Sequence, residues 1–248
     1  LDGTKNKSRL GANTILSVSL AVAKTASKNQ NIELYNYLGG LNTNFLPVPL
    51  VNIINGGVHA TNNLDIQEYM IAPIGAKSFS QAIRWSSEIF FNLKELLKSS
   101  NYSTAVGDEG GFASNFMNNY EPLEFLLKAI KKSKLNPEKD VMISLDVASS
   151  EFYKNNKYKL SNSKSSLNSE QMVSFLHKIV SKYPIFSIED GCAEDDWKGW
   201  VELNTKLGKN ILTVGDDLFV TNPIRLHKGI EKNAANSILI KPNQIGSL

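Results

Sequence analysis

The sequence predicts an α/β fold built around a largely parallel sheet of the barrel kind, and three observations carry that reading. Short apolar runs with little alternation recur at 141–145, 185–188, 211–214 and 237–240. Amphipathic stretches at 168–182, 195–206 and 222–232 lie between them. Each run ends on charge: Asp146, then Glu189 with Asp190, then Asp216 with Asp217 after one glycine, then Lys241. Unalternating apolar strands suit parallel strands covered on both faces, and their alternation with helices is the signature of βα units.

The elements before residue 141 follow from spacing and punctuation. Residues 11–28 carry Ile15, Val18 and Val22 at three- and four-residue intervals among many alanines, which predicts a helix. Gly39, Gly40 and the loop 41–45 mark a boundary between a first unit, 1–42, and a larger one, 43–248. Runs 46–54 and 67–73 are apolar and bounded by turn residues, so both read as strands. A helix over 78–98 would place Phe79, Ile83, Phe90, Leu93 and Leu97 on one face. A second, over 121–134, has Leu123, Leu126, Leu127 and Ile130, with Pro122 in its first turn where a missing N–H costs nothing. The Ser/Asn/Lys-rich stretch 155–169 reads as a surface loop or small hairpin.

Composition narrows the class. A length of 248 residues allows one to two domains at roughly 150 each. The balance of 27 Lys and Arg against 24 Asp and Glu leaves +3, too mild to argue for nucleic acid or an anionic membrane. A single cysteine, Cys192, excludes an internal disulfide framework and fits a reducing, cytoplasmic setting. No apolar run approaches the roughly 20 residues of a membrane span, and no signal-peptide pattern opens the chain. The start at Leu1 and the stop at Leu248, with no helix to close the chain, suggest a missing end.

The chemistry should gather at the charged strand ends, because those ends converge on one rim of an α/β barrel. Asp146, Glu189 and Asp216 are three converging anions, costly to desolvate together unless a cation neutralises them. Oxygen-only ligands favour a hard ion, Mg²⁺ before Zn²⁺. Helix capping or surface pairing is the plainer alternative for any one of them. Lys241, between an apolar run and Pro242, has little room to extend into water. Confinement would ease loss of its proton and make it a candidate base; a fixed countercharge for the acids is the alternative. The turn Gly107-Asp-Glu-Gly-Gly111 brings Asp108 and Glu109 close to any ligand, unless it is a plain turn. Glu68 lies in an otherwise apolar strand and needs a partner or a raised pKa, which a shared proton with Glu109 would provide. His59 follows a glycine loop and reads equally as a ligand contact or a structural histidine; His177 and His227 read as structural. Absence of a Gly-x-Ser-x-Gly motif and of a helix-opening Gly-x-Gly-x-x-Gly argues against hydrolase and dinucleotide-binding readings.

These residues sit in longer strings. They include Leu1-Asp-Gly-Thr-Lys-Asn-Lys-Ser, Leu10-Gly-Ala-Asn, Asn52-Ile-Ile-Asn-Gly-Gly and Ile66-Gln-Glu-Tyr-Met. Further along come Ala105-Val-Gly-Asp-Glu-Gly-Gly-Phe, Ser187-Ile-Glu-Asp-Gly, Val214-Gly-Asp-Asp-Leu-Phe-Val-Thr-Asn-Pro and Ile240-Lys-Pro-Asn-Gln-Ile-Gly. In this order, over the whole chain, they resemble the enolases, and bacterial members most. The resemblance implies reversible, Mg²⁺-dependent dehydration of 2-phospho-D-glycerate to phosphoenolpyruvate. It matches Lys241 to the base, Glu109 to the acid with Glu68 beside it, and Asp146, Glu189 and Asp216 to the metal ligands. His59, Gln67, Glu68, Glu189, Asp216 and Lys241 match substrate-contacting positions. A Lys base with one or two Mg²⁺ ions is the established pattern of that superfamily. The resemblance further implies a homodimer or higher homo-oligomer. By analogy alone it also implies an RNA-degradation complex, or secretion and plasminogen binding at the cell surface.

Departures set further expectations. The fold implied is strands one to six of an eight-stranded TIM-type barrel, two β then two α then βα units, after the end of an α+β domain in 1–42. No Ser-His-Arg-Ser motif for a phosphate and no second lysine follow, and Ser114 stands where proline is usual. The 248 residues by themselves are therefore expected to be inactive, since an open barrel leaves an unpaired edge. Two other readings compete: a different proton-abstracting enzyme of the superfamily, which the 107–111 turn disfavours, and a non-catalytic surface-binding or scaffold protein.

Overall fold

The computed structural model describes residues 2–4, 6–40, 43–161 and 165–248. Helix α1 (Ala12–Asn29) is followed by a short α2 (Leu34–Gly39) that the sequence reading did not anticipate. Leu41 and Asn42, at the expected unit boundary, and 162–164 of the expected loop lie outside the described residues.

Strands β1 (Val51–Asn55) and β2 (Glu68–Ala72) precede two long helices, α3 (Phe79–Ser99) and α4 (Glu121–Lys132). Then come β3 (Met142–Asp146) and a small hairpin, β4 (Tyr153–Lys154) with β5 (Lys157–Tyr158). Helix α5 (Ser169–Lys182), β6 (Ile185–Glu189), α6 (Trp197–Leu207), β7 (Leu212–Gly215), α7 (Pro223–Lys232), β8 (Ser237–Ile238) and α8 (Pro242–Ile245) complete the order. One sheet holds six strands in the order β1-β2-β3-β6-β7-β8. The β1–β2 and β2–β3 pairs are antiparallel and the other three are parallel. Among the described residues β1 and β8 do not pair with each other, so the barrel is open.

Several expectations need correction. Residues 46–50 are not strand: Pro47 and Pro49 lack the donor a ladder needs, and Phe45 and Leu46 are exposed. Helix α3 buries Ala82, Trp85, Ser86, Ile89, Leu93 and Leu97, while Phe79 and Ile83 face outward. The covering layer reaches only the face set by Trp85 and Ile89, so apolar spacing overstated the buried stripe. The last run pairs only at Ser237 and Ile238; Ile240 is exposed at the open edge. The chain also ends in the one-turn α8, which packs back on α1, with the Leu248 N–H donating to Ser19 Oγ at 3.2 Å.

The core sits between the sheet and its helices. Ile53, Ile71, Ile143, Leu145, Ile185 and Ile188 meet Ile89, Leu93, Leu126, Leu176 and Leu203 in one apolar cluster. Phe90 stacks on Phe112 at 4.4 Å, which pins the 107–111 turn to the helical layer. Asn168 closes a capping box with Gln171, and Asp196 caps α6 through the Gly199 N–H.

Candidate active site

Strand register brings the acids together. Glu68 pairs across from Asp146, and Asp146 pairs across from Glu189, so three carboxylates share one rung of the sheet. Glu189 pairs with Val214, and Asp216 lies two residues beyond on the same strand direction. Residues directly opposite in a sheet project to the same side. The result is a cleft of about 500 Å³ at the strand ends, lined by His59, Gln67, Glu68, Glu109, Asp146, Glu189, Asp216 and Lys241. Every position that the resemblance matched to a catalytic, metal or substrate role reaches this one cleft. His177 lies on an exposed face and His227 pairs with Glu231 at 3.4 Å, both away from it.

The glycine turn is held by β1. The Asn55 Oδ1 accepts the Gly111 N–H at 2.8 Å, and the Phe112 N–H donates to the Ile53 carbonyl at 2.9 Å. A Cβ on Gly107 would lie 2.5 Å from the His59 carbonyl oxygen, so this approach requires glycine. Glu109 is thereby delivered to Glu68, and Asn52 Nδ2 donates to its Oε2 at 3.1 Å. His59 Nδ1 stands 3.5 Å from Glu68 and 3.7 Å from Glu109, and has no hydrogen-bond partner among the described residues.

Burial governs the electrostatics. It pushes the Glu68 carboxyl well up, and the hydrogen bond with Glu109 and the charge of Asp146 add to the rise. That same hydrogen bond holds Glu109 below its ordinary value. The two carboxyls are thus coupled through one hydrogen bond that favours a proton between them. Burial also raises Asp146 and Glu189, and their mutual repulsion raises Glu189 further. Gln67 Nε2 donates to Asp146 Oδ2 at 3.0 Å, and Gln244 Nε2 donates to Asp216 Oδ1 at 2.8 Å.

Lys241 corrects one expectation. Its side chain is not confined: it is 44% exposed, and its Nζ donates to Asp216 Oδ2. Partial burial pulls its pKa down, but Asp216, Glu189 and Asp146 outweigh that and hold it above the ordinary value. The pairing with Asp216 therefore favours the charged form of Lys241.

The sequence reading gave no role to Asn52, Gln244, Asp217 and Asp190. Asp190 and Asp217 each follow a strand-end acid directly, which was a usable signal. Asp190 is 4% exposed, and burial lifts its carboxyl to about 8. Cys192 is buried, which pushes its thiol far up and leaves it unsuited to act as a nucleophile.

An α/β barrel sheet whose strand ends hold clustered acids, a paired carboxyl and a lysine is an arrangement able to carry acid–base chemistry at a barrel rim. Comparison with known proteins gives the particular family. A family model described as "Enolase, C-terminal TIM barrel domain" matches residues 43–248, and "Enolase, N-terminal domain" matches 1–38. An enolase from a Nitratiruptor species is 57% identical over all 248 residues, which cover 59% of that relative. The chain belongs to the enolase family. No described helix is long and apolar enough to cross a membrane.

Proposed function

We propose that this chain carries the site of a lyase that reversibly dehydrates 2-phospho-D-glycerate to phosphoenolpyruvate with Mg²⁺. The observation that carries the reading is the single rung Glu68–Asp146–Glu189, with Asp216 and Lys241 beside it and Glu109 delivered from the glycine turn. Residues 1–42 are read as the end of an N-terminal domain and 43–248 as barrel.

The donor set fits a hard divalent cation. Asp146, Glu189 and Asp216 offer only carboxylate oxygens from three different strands, and burial penalises their charge until something positive meets it. These three would hold Mg²⁺. Bound there, it would supply positive charge beside a substrate carboxylate as negative charge develops.

The chain's own groups divide the remaining work. A hydrogen next to a carboxylate is very weakly acidic, so its removal needs a base held in the cleft, and that role is assigned to Lys241 Nζ, which must first give up the proton its acidic neighbours hold on it. Loss of the hydroxyl needs a proton donor on the other side. The Glu68–Glu109 pair holds one at that wall, with His59 alongside. Gln67 keeps Asp146 oriented through its amide.

Proton exchange tests the reading on the protein as the cell makes it. In deuterated water with Mg²⁺ and 2-phosphoglycerate, the hydrogen beside the carboxylate should wash out, and Lys241→Ala should slow that exchange by about 100-fold or more. Exchange unslowed in Lys241→Ala would move the base elsewhere. A wild-type protein inert toward 2-phosphoglycerate would sink the substrate assignment.

A further inference from the structure

We propose that Asp190, which no step above uses, is a positioning residue that sets where Asp216 stands relative to Asp146 and Glu189. The inference rests on the metal-holding role just proposed for those three acids.

Asp190 makes hydrogen bonds that join three strand ends. Its N–H donates to the Val214 carbonyl of β7 at 3.0 Å, and its carbonyl accepts the Ser149 N–H from the segment after β3 at 3.1 Å. Its side chain reaches past the end of β7. Oδ1 accepts the Asp216 N–H at 3.1 Å and Oδ2 accepts the Asp217 N–H at 2.8 Å. The backbone of Asp216 is thus tied to the residue next to Glu189, while Glu189's own carbonyl accepts the Val147 N–H, one residue past Asp146.

The residue type follows from two constraints. At φ 43° the backbone is left-handed, which glycine, asparagine and aspartate tolerate best. Two N–H donors arrive at two different side-chain oxygens, and only a carboxyl group has two. Glycine meets the first constraint alone, and asparagine meets both only in part.

With both oxygens turned to backbone amides, Asp190 acts on a cation through Asp216 rather than by binding it. It does lie close enough to Asp146, Glu189, Asp216 and Asp217 for direct ligation to be the competing account.

Asp190→Gly and Asp190→Asn separate the accounts, because each keeps the left-handed backbone while removing both acceptors or one. In metal-free protein, amide hydrogen exchange at Asp216 and Asp217 should speed up about tenfold in Asp190→Gly, the effect of one lost hydrogen bond. It should speed up less in Asp190→Asn, and core amides such as Ile89 and Leu93 should stay protected in both. Mn²⁺ affinity, measured without substrate by electron paramagnetic resonance, should fall about 10–100-fold, as for other residues that orient a metal ligand. The number of waters on Mn²⁺, read from line broadening in water enriched in the magnetic oxygen isotope, should not change. Wild-type exchange rates at Asp216 and Asp217 in Asp190→Gly would overturn the proposal. So would one extra water on Mn²⁺, which would make Asp190 a ligand. If Asp190→Gly does not fold, the amides of Asp190→Asn decide. Wild-type protein that takes up no Mn²⁺ would defeat the metal reading, while the amide measurement still judges Asp190.

Discussion

The cleft has two walls that handle the same difficulty, crowded buried carboxylates, in different ways. On the β2 side, Glu68 and Glu109 share a proton: burial and the hydrogen bond raise one, and the same bond lowers the other. On the β3–β6–β7 side, Asp146, Glu189 and Asp216 come from three separate strand ends, and Lys241 pairs directly with Asp216. A turn outside the ladder carries Glu109 close enough to its partner for a proton to bridge them. Carboxylate oxygens of Asp146, Glu189 and Asp190 lie within 4.8 Å of one another, a spacing that a cation could bridge. On the proposed reading, the difference teaches that one wall relieves repulsion by a proton between two side chains and the other by a cation among several.

The largest expected effect lies at the lysine. Lys241→Ala should slow substrate proton exchange by about 10²- to 10⁴-fold, the usual worth of a positioned general base. Unchanged exchange would show that the two walls do not divide the chemistry as proposed. Next is metal affinity. Glu189→Gln should weaken Mn²⁺ binding by more than the roughly 100-fold of an indirect change, whereas Glu68→Gln should leave it nearly unaltered. Titration calorimetry that found equal losses would erase the distinction between the walls.

A third expectation concerns pH. Glu68, Asp146, Glu189 and Asp190 all hold protons more tightly folded than unfolded. Their contribution to stability is therefore complete below the ordinary carboxylate range, about 4, and is lost as pH rises through the raised values. For Asp190 that loss continues to about 8, and for Glu68 and Glu189 to about 9. Metal-free protein should melt at progressively lower temperature between those limits, and saturating Mg²⁺ should restore the midpoint at the upper end. A melting temperature that rises with pH over this window would contradict the burial argument. The smallest effect should come from Asn52→Ala, which removes the amide donor to Glu109 Oε2 and lets that carboxyl drift up toward its ordinary value. Carbon-detected NMR titration of Glu109 would register it, and no movement would mean that its other neighbours, Glu68 first, hold Glu109 down without Asn52.

Much of this was legible without coordinates. Runs ending in Asp146, Glu189 and Asp216 were readable because parallel strands bury both faces and leave charge only at their ends. Proline explains the main strand error: an apolar composition at 46–50 concealed two missing donors, and hydrophobicity was weighed above hydrogen bonding. Burial of α3 was misjudged because a period of 3.6 locates a stripe but not which neighbour covers it. Lys241 was misread for a similar reason, since apolar neighbours in sequence do not keep a long side chain from reaching solvent and an acid.

The sequence by itself determined the family, the alternation of strands and helices, and which side chains carry charge at strand ends, because these depend on local order along the chain. Only the tertiary structure decided which of those charges meet. Register placed Glu68, Asp146 and Glu189 on one rung, and the docking of the 107–111 turn on β1 brought Glu109 to Glu68. The state of each acid followed from that placement, because desolvation and repulsion depend on distance through space and not on position in the chain.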